Sequence, residues 1–284
     1  MIHMIQQQTP EWLQFRVGKV TASRVKDVMD LTQKSLPTMK RKRYMIEIVC
    51  ERLTGFAVDH FVSDAMIWGT DNEKYARAAY EIHSGNEVET CAGKDSKVGI
   101  ATHPRIELLA ASPDGLINAD GLFEAKCPNT VTHIEWMMEG VVPEEHRDQC
   151  LTQIVCWERD WNDFVSYDPR IENYPELQLF TPPRIYRDEK RIGEIEQGVE
   201  RFLEETETVV QKLLARCGNP EQVREQMQSP KLKEQLKRSV EEVDPSLGIS
   251  DEDIAWAKAR TMEPASDQSE LPAWARTGKY APTS

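Results

Sequence analysis

Long apolar runs are missing from this chain of 284 residues: nowhere do eighteen apolar residues stand together, so no transmembrane helix is expected. The first residues also lack the basic-then-apolar form of a secretory leader. The six cysteines (50, 91, 127, 150, 156 and 217) contain no Cys-x-x-Cys pair, which argues against a structural zinc site and a disulfide framework. A reduced, cytoplasmic protein is the expectation. Basic charge is in deficit as well, with 35 Lys and Arg against 48 Asp and Glu and a net charge of −13. That balance argues against a protein that coats polyanions by bulk charge, since neutralising phosphates takes Lys and Arg at the contact. A local basic footprint stays open, because distribution matters more than the sum. There is no internal repeat and no extended low-complexity tract.

What is present can build a core: 39% of the residues are hydrophobic, enough for one large domain with an appendage. Residues 8–30 read as a short extended entry and then a helix that Thr21 or Ser23 could cap. Further helices are expected over about 40–54, 70–84, 130–139, 145–157 and 188–215. The last is the most amphipathic, with Ile192, Ile195, Val199, Phe202, Val209 and Leu213 at spacings near three and four. Short strand signals fall around Val88 and at 98–101, 108–111, 122–127, 163–167 and 177–180. The class is α/β, helices around a central mixed sheet. After Cys217-Gly218-Asn219-Pro220 the chain turns polar, so a domain over 1–217 and a mostly helical C-terminal appendage over 218–284, with a disordered tail, are expected. Between Leu31 and Ile46 there is no acid, and Lys34, Lys40, Arg41, Lys42 and Arg43 make the one basic stretch, a candidate for phosphate contact or a solvated helix start.

The most informative stretch is Ser112-Pro113-Asp114-Gly115-Leu116, followed by Phe123-Glu124-Ala125-Lys126-Cys127-Pro128. On a strand, Glu124 and Lys126 project to one side, and Phe123, Ala125 and Cys127 to the other. If Asp114 ends a neighbouring strand, two carboxylates and an ammonium converge. Two carboxylates attract a hard cation such as Mg²⁺, and a Lys beside them can orient water or steady developing charge. Phosphodiester hydrolysis is the economical use. Taken alone, the same residues also read as a good turn and an ordinary solvated strand face. Likewise Thr70-Asp71-Asn72-Glu73 reads as a capping box, which accounts for Glu73 without any metal. His83, His103, His133 and His146 have no ligand spacing and read as surface or hydrogen-bonded residues. Trp136, Met137 and Met138 read as core or subunit contact.

Five blocks stand in register: Pro10 to Asp30, Trp68-Gly69-Thr70-Asp71-Asn72-Glu73, the Ser-Pro-Asp-Gly…Glu-Ala-Lys-Cys-Pro block, Gln149, and Asp163 to Arg170. Over roughly residues 8–210 the chain thereby resembles the phage lambda-type exonucleases, or viral recombinase exonucleases, of the PD-(D/E)xK nuclease superfamily. The resemblance implies a restriction-endonuclease-like core. It implies Asp114, Glu124, the Ala125 carbonyl and Glu73 as metal ligands, and Lys126 as the residue that positions water. It assigns Arg16, Ser23, Ser112 and Gln149 to the phosphate at a DNA 5′ end, for which an Arg fork with hydroxyl and amide donors is chemically suited. A second glutamine common in the family, two residues beyond the first, is Leu151 here.

The function so implied is Mg²⁺-dependent (with Mn²⁺ substituting) 5′→3′ digestion of double-stranded DNA ends. It leaves a 3′ overhang for a single-strand annealing partner in phage-type homologous recombination. A homotrimeric ring and a phage or prophage origin, acting in the bacterial cytoplasm, are implied too. Two alternatives remain: a structure-specific or nicking endonuclease of the same superfamily, and a catalytically inactive DNA-binding recombination scaffold.

Overall fold

In the computed structural model, residues 1–58, 63–90 and 99–216 are described. Residues Met1–Thr208 form one compact unit. The expected appendage over 218–284 lies outside the described residues. No described helix is long and apolar enough to cross a membrane.

Seven α-helices are described: α1 (Pro10–Arg16), α2 (Val25–Met29), α3 (Met39–Thr54), α4 (Asp64–Ser84), α5 (Thr130–Glu139), α6 (Glu144–Trp157) and α7 (Glu189–Leu214). The entry expected to be extended is helical instead: the Thr9 side chain accepts from the Trp12 N–H and Pro10 opens the first turn. Neither Thr21 nor Ser23 caps α2, whose N-cap is Arg24 with no side-chain bond. Helix α4 begins at Asp64, capped by Ser63, so Thr70 lies inside the helix and the capping-box reading of Glu73 falls. The expected α3, α5, α6 and α7 are present within a residue or so.

The α/β class holds, with the strands divided between two sheets. The smaller contains β1 (Ile2–His3), β4 (Ile100–Thr102), β5 (Leu109–Ala111) and β2 (Val20–Thr21), in that order. The larger runs β10 (Ile185–Tyr186), β8 (Trp161–Tyr167), β7 (Gly121–Lys126), β6 (Gly115–Ile117) and β3 (Glu89–Thr90), with β9 (Leu179–Phe180) also paired to β8. Its centre is the parallel β7–β8 pair, Glu124 opposite Phe164. Both sheets are mixed, because β2–β5 is parallel too.

Strand β7 is covered on both faces. Leu122 and, from β8, Phe164 join α6, α7 and the small sheet in the larger core. Phe123, Ala125 and Cys127, with Trp161 and Val165, pack against Ala76 and Tyr80 of α4. This alternation is the period of two expected of a strand, and it sends Glu124 toward α6. Strand β6 was hidden by its turn-like sequence. Gly115 is needed there because a Cβ would stand 2.2 Å from the Val88 Cγ1.

Candidate active site

Residues Ser112-Pro113-Asp114 carry the chain from β5 in the small sheet to β6 in the large one. Asp114 donates its N–H to the Phe123 carbonyl (3.1 Å) and accepts, through Oδ2, the Ala125 N–H (2.8 Å). The side chain is therefore clamped to the backbone of the strand that carries Glu124. On β7, Glu124 is 1% exposed. Its Oε1 accepts from the Lys126 ammonium and from Gln149 Nε2 (2.5 Å), and its Oε2 accepts from Gln153 Nε2 (2.6 Å). The Lys126 Nζ also reaches the Ala125 carbonyl at 3.3 Å.

Burial sets the electrostatics. It pushes the Asp114 carboxyl well above its usual range, and the Glu124 and Glu73 charges push the same way against Lys126 and the Ala125 N–H. Burial also raises Glu73, opposed by Lys126 and reinforced by Glu124. For Lys126 burial disfavours the charge, but Glu124, Asp114 and Glu73 outweigh it and hold the ammonium protonated. Glu73 and Asp114 both line a cleft of about 390 Å³ that includes Gln6, Gln7, Gln8, Thr70, Lys74 and Arg77. Three mutually repelling carboxylates and a backbone carbonyl form an all-oxygen donor set suited to a hard divalent cation. Among the described residues they do not close into a group of three carboxylate, histidine or cysteine ligands, since Glu124 is turned onto Lys126 and the two amides. The donor chemistry fits the cation. Releasing the Lys126 contact would give Glu124 an oxygen to offer it.

The residues expected to bind a terminal phosphate separate into two groups. Arg16 lies over the Trp12 ring (4.0 Å), and the Trp12 indole N–H donates to Ser112 Oγ (3.0 Å), so Trp12 joins these two. Burial lowers the Arg16 pKa, with the Arg24 charge adding to it against Tyr44 and Glu51, which favours an anionic ligand. Ser23 is exposed, its hydroxyl 3.4 Å from that of Thr21. Gln149 stands apart from them: it is buried, and its amide donates to Glu124. In the basic stretch, two of the five cations are paired within the protein. Arg41 is buried, donating to the Val28 carbonyl and pairing with Glu205, and Arg43 pairs with Glu47. Arg41 thereby ties α3 to α2 and α7, while the Arg43 pair lies within α3.

Gln153 is the residue that sequence reading missed. It is fully buried, and its Oε1 accepts from Asn162 Nδ2 (2.7 Å) on β8, which fixes its NH₂ toward Glu124. Its signal was available: four residues after Gln149 on a helix, it shares that residue's face. The second amide donor thus comes one turn further along α6, not from position 151. The last block is structural. Asp163 takes both Arg184 nitrogens (2.7 and 2.8 Å) and the Tyr80 hydroxyl (2.6 Å). Arg170 joins Asp168 to the Pro128 carbonyl just beyond β7. His103 bonds Glu196, and His133 sits between Ser166 Oγ and the Leu177 carbonyl.

Residues 11–160 match the model of the YqaJ-like viral recombinase domain. Among solved structures, the chain is similar to an alkaline exonuclease (LHK-Exo) from Laribacter hongkongensis, at 44% identity over 73% of this chain and 97% of that one, with a TM-score of 0.64. The structure of LHK-Exo in complex with dAMP matches at the same identity and coverage, with a TM-score of 0.65. A phage-related exonuclease from Haemophilus somnus 129PT shares the fold alone, at 13% identity over 69% of this chain and 96% of that one, with a TM-score of 0.55. A search of curated proteins gives no significant match.

Proposed function

Because this chain belongs to the YqaJ-like viral recombinase family, we propose that it is a divalent-cation-dependent exonuclease that digests double-stranded DNA from the 5′ end. It is a nuclease, as the alkaline exonuclease likeness implies. The observation that carries the reading is the convergence of Asp114, Glu124 and Lys126 on one end of β7, with Glu73 and Asp114 lining an open cleft. Mg²⁺, with Mn²⁺ as a substitute, would be held by Asp114, Glu124, Glu73 and the Ala125 carbonyl, and would supply Lewis acidity and a more acidic water. Lys126, kept charged by its three carboxylate neighbours, faces the negative charge that develops on the scissile phosphate. Gln149 and Gln153 keep Glu124 in place. Arg16 and Ser112, joined through Trp12, with Ser23, form the receptor for a terminal 5′ phosphate. Digestion with this polarity leaves a 3′ overhang for a single-strand annealing partner in the bacterial cytoplasm. We assign the chain a phage or prophage role in recombination, and a ring of three subunits by family likeness. Residues 218–284 are the proposed C-terminal appendage.

The test compares linear 5′-phosphorylated duplex with a covalently closed circle, in Mg²⁺ and then in excess EDTA. Linear DNA should disappear in Mg²⁺ while the circle survives, and EDTA should stop digestion. Cleavage of the circle would instead identify an endonuclease of the same superfamily. Absence of cleavage in Mg²⁺ and Mn²⁺ would identify a non-catalytic scaffold.

A further inference from the structure

Helix α4 brings two cations into the cleft beside Glu73: Lys74 and Arg77. Glu73 and Arg77 are four residues apart, the spacing of a natural helical ion pair. That pair is not made, and the Arg77 Nε is buried without a hydrogen-bond partner. Lys74 is exposed, its Nζ 4.9 Å from the Tyr75 ring. Arg77 is half-buried, whereas the buried Arg41 pairs with Glu205. In a chain of net charge −13, a guanidinium that stays unpaired next to carboxylates is held for a ligand. A buried donor without an acceptor is unfavourable until something supplies one. The remaining cleft residues near it, Gln6, Gln7 and Thr70, are neutral donors and acceptors, and Gln7 is anchored to the Pro113 carbonyl at 2.8 Å. A helical rise of about 6 Å separates Glu73 from Arg77, comparable to one phosphate step along a nucleic-acid strand.

We propose that Lys74 and Arg77 form a second phosphate subsite, which takes an internal phosphodiester of the strand adjacent to the one being cut. The inference rests on the nuclease reading and deepens it. It is distinct from the terminal-phosphate receptor at Arg16 and Ser112.

The test measures binding of a labelled duplex end by the full chain in Ca²⁺ across a range of KCl. Arg77→Ala should weaken binding about tenfold, as expected for a lost charge-assisted bond, and flatten the slope of log K against log salt by roughly 0.7–0.9. Arg77→Lys should keep the slope, which separates a lost charge from misfolding, and Lys74→Ala should flatten it less. The loss should be equal on 5′-phosphate and 5′-hydroxyl ends. A single methylphosphonate at the adjacent linkage should weaken the wild type and leave Arg77→Ala unaffected. Wild-type affinity and slope in Arg77→Ala would overturn the subsite. So would a loss confined to 5′-phosphorylated ends, or an equal methylphosphonate effect in both proteins. A wild type that binds no duplex end at all would sink the nuclease reading itself.

Discussion

The two helices that flank β7 treat their polar groups in opposite ways. On α6, the two glutamine amides that face the strand donate inside the protein: Gln149 and Gln153 each hold one oxygen of Glu124, and Asn162 holds Gln153. On α4, Glu73, Lys74 and Arg77 face a cleft, and the Arg77 Nε has no partner. Satisfied buried groups fix geometry, whereas unsatisfied ones next to an opening await a ligand. In the proposed function, one wall therefore positions Glu124 and the other receives the substrate.

The comparison can be broken at several points. The largest effect is expected from Glu124→Ala and Asp114→Ala, each of which should abolish hydrolysis while duplex ends still bind in Ca²⁺. Near wild-type turnover of either variant at saturating Mg²⁺ would remove it from the site. Lys126→Ala should lower the single-turnover rate by roughly 10²–10³, the usual loss for one preorganised charge. Its Mg²⁺ affinity should hold or rise, and a fall measured by calorimetry would mark Lys126 as a structural counter-ion of Glu124.

The α6 wall has a sharper probe in Asn162→Asp. An acid there would take the Gln153 NH₂ and turn its carbonyl toward Glu124, although position 162 acts on Glu124 only through Gln153 in the hydrogen-bond chain and does not line the cleft. Mg²⁺ affinity should fall about 10- to 100-fold, the range for a lost outer partner of a ligand. Gln153→Met should do the same, and unchanged affinity in both would leave Gln153 a packing residue. Arg16→Ala should act on end preference alone. The wild type should digest 5′-phosphorylated duplex faster than 5′-hydroxyl duplex, and the variant should narrow that ratio. Equal wild-type rates on both ends would take Arg16 out of the receptor.

The smallest effect concerns stability. His146 on α6 is buried against Phe164 and Trp136, and burial, with help from Lys126, lowers its pKa to about 4. The folded state therefore refuses a proton that the unfolded chain accepts near pH 6.5. Stability should be fully present above pH 6.5 and decline as pH falls toward 4, by up to roughly 3 kcal/mol. Urea unfolding across this range should show a shallower acid-side loss in His146→Phe than in the wild type, the difference being the His146 contribution.

Much of this arrangement was legible in the sequence. The alternation of Phe123-Glu124-Ala125-Lys126-Cys127 fixed which side chains share a face, and the long period of α7 was plain. Other features were not. Strand β6 hid because Gly115 serves a close approach to Val88 rather than a turn. The start of α4 hid because Thr70-Asp71-Asn72-Glu73 imitates a helix beginning, while Ser63 supplies the cap. Arg41 looked like a surface cation because its burial depends on α7, more than 160 residues on in Glu205. Gln149 could be found, but its partner could not, since hydrogen bonds between a helix and a strand are set by tertiary packing.

The central claim is that Asp114 and the amide-held Glu124 make a divalent-cation site. Calorimetric titration of Mg²⁺ into the DNA-free protein and into Asp114→Asn tests it most directly. The account predicts saturable binding by the wild type and none by the variant, with both proteins folded by circular dichroism. Equal binding by the two, or no binding by a wild type that nonetheless digests DNA in Mg²⁺, would contradict it.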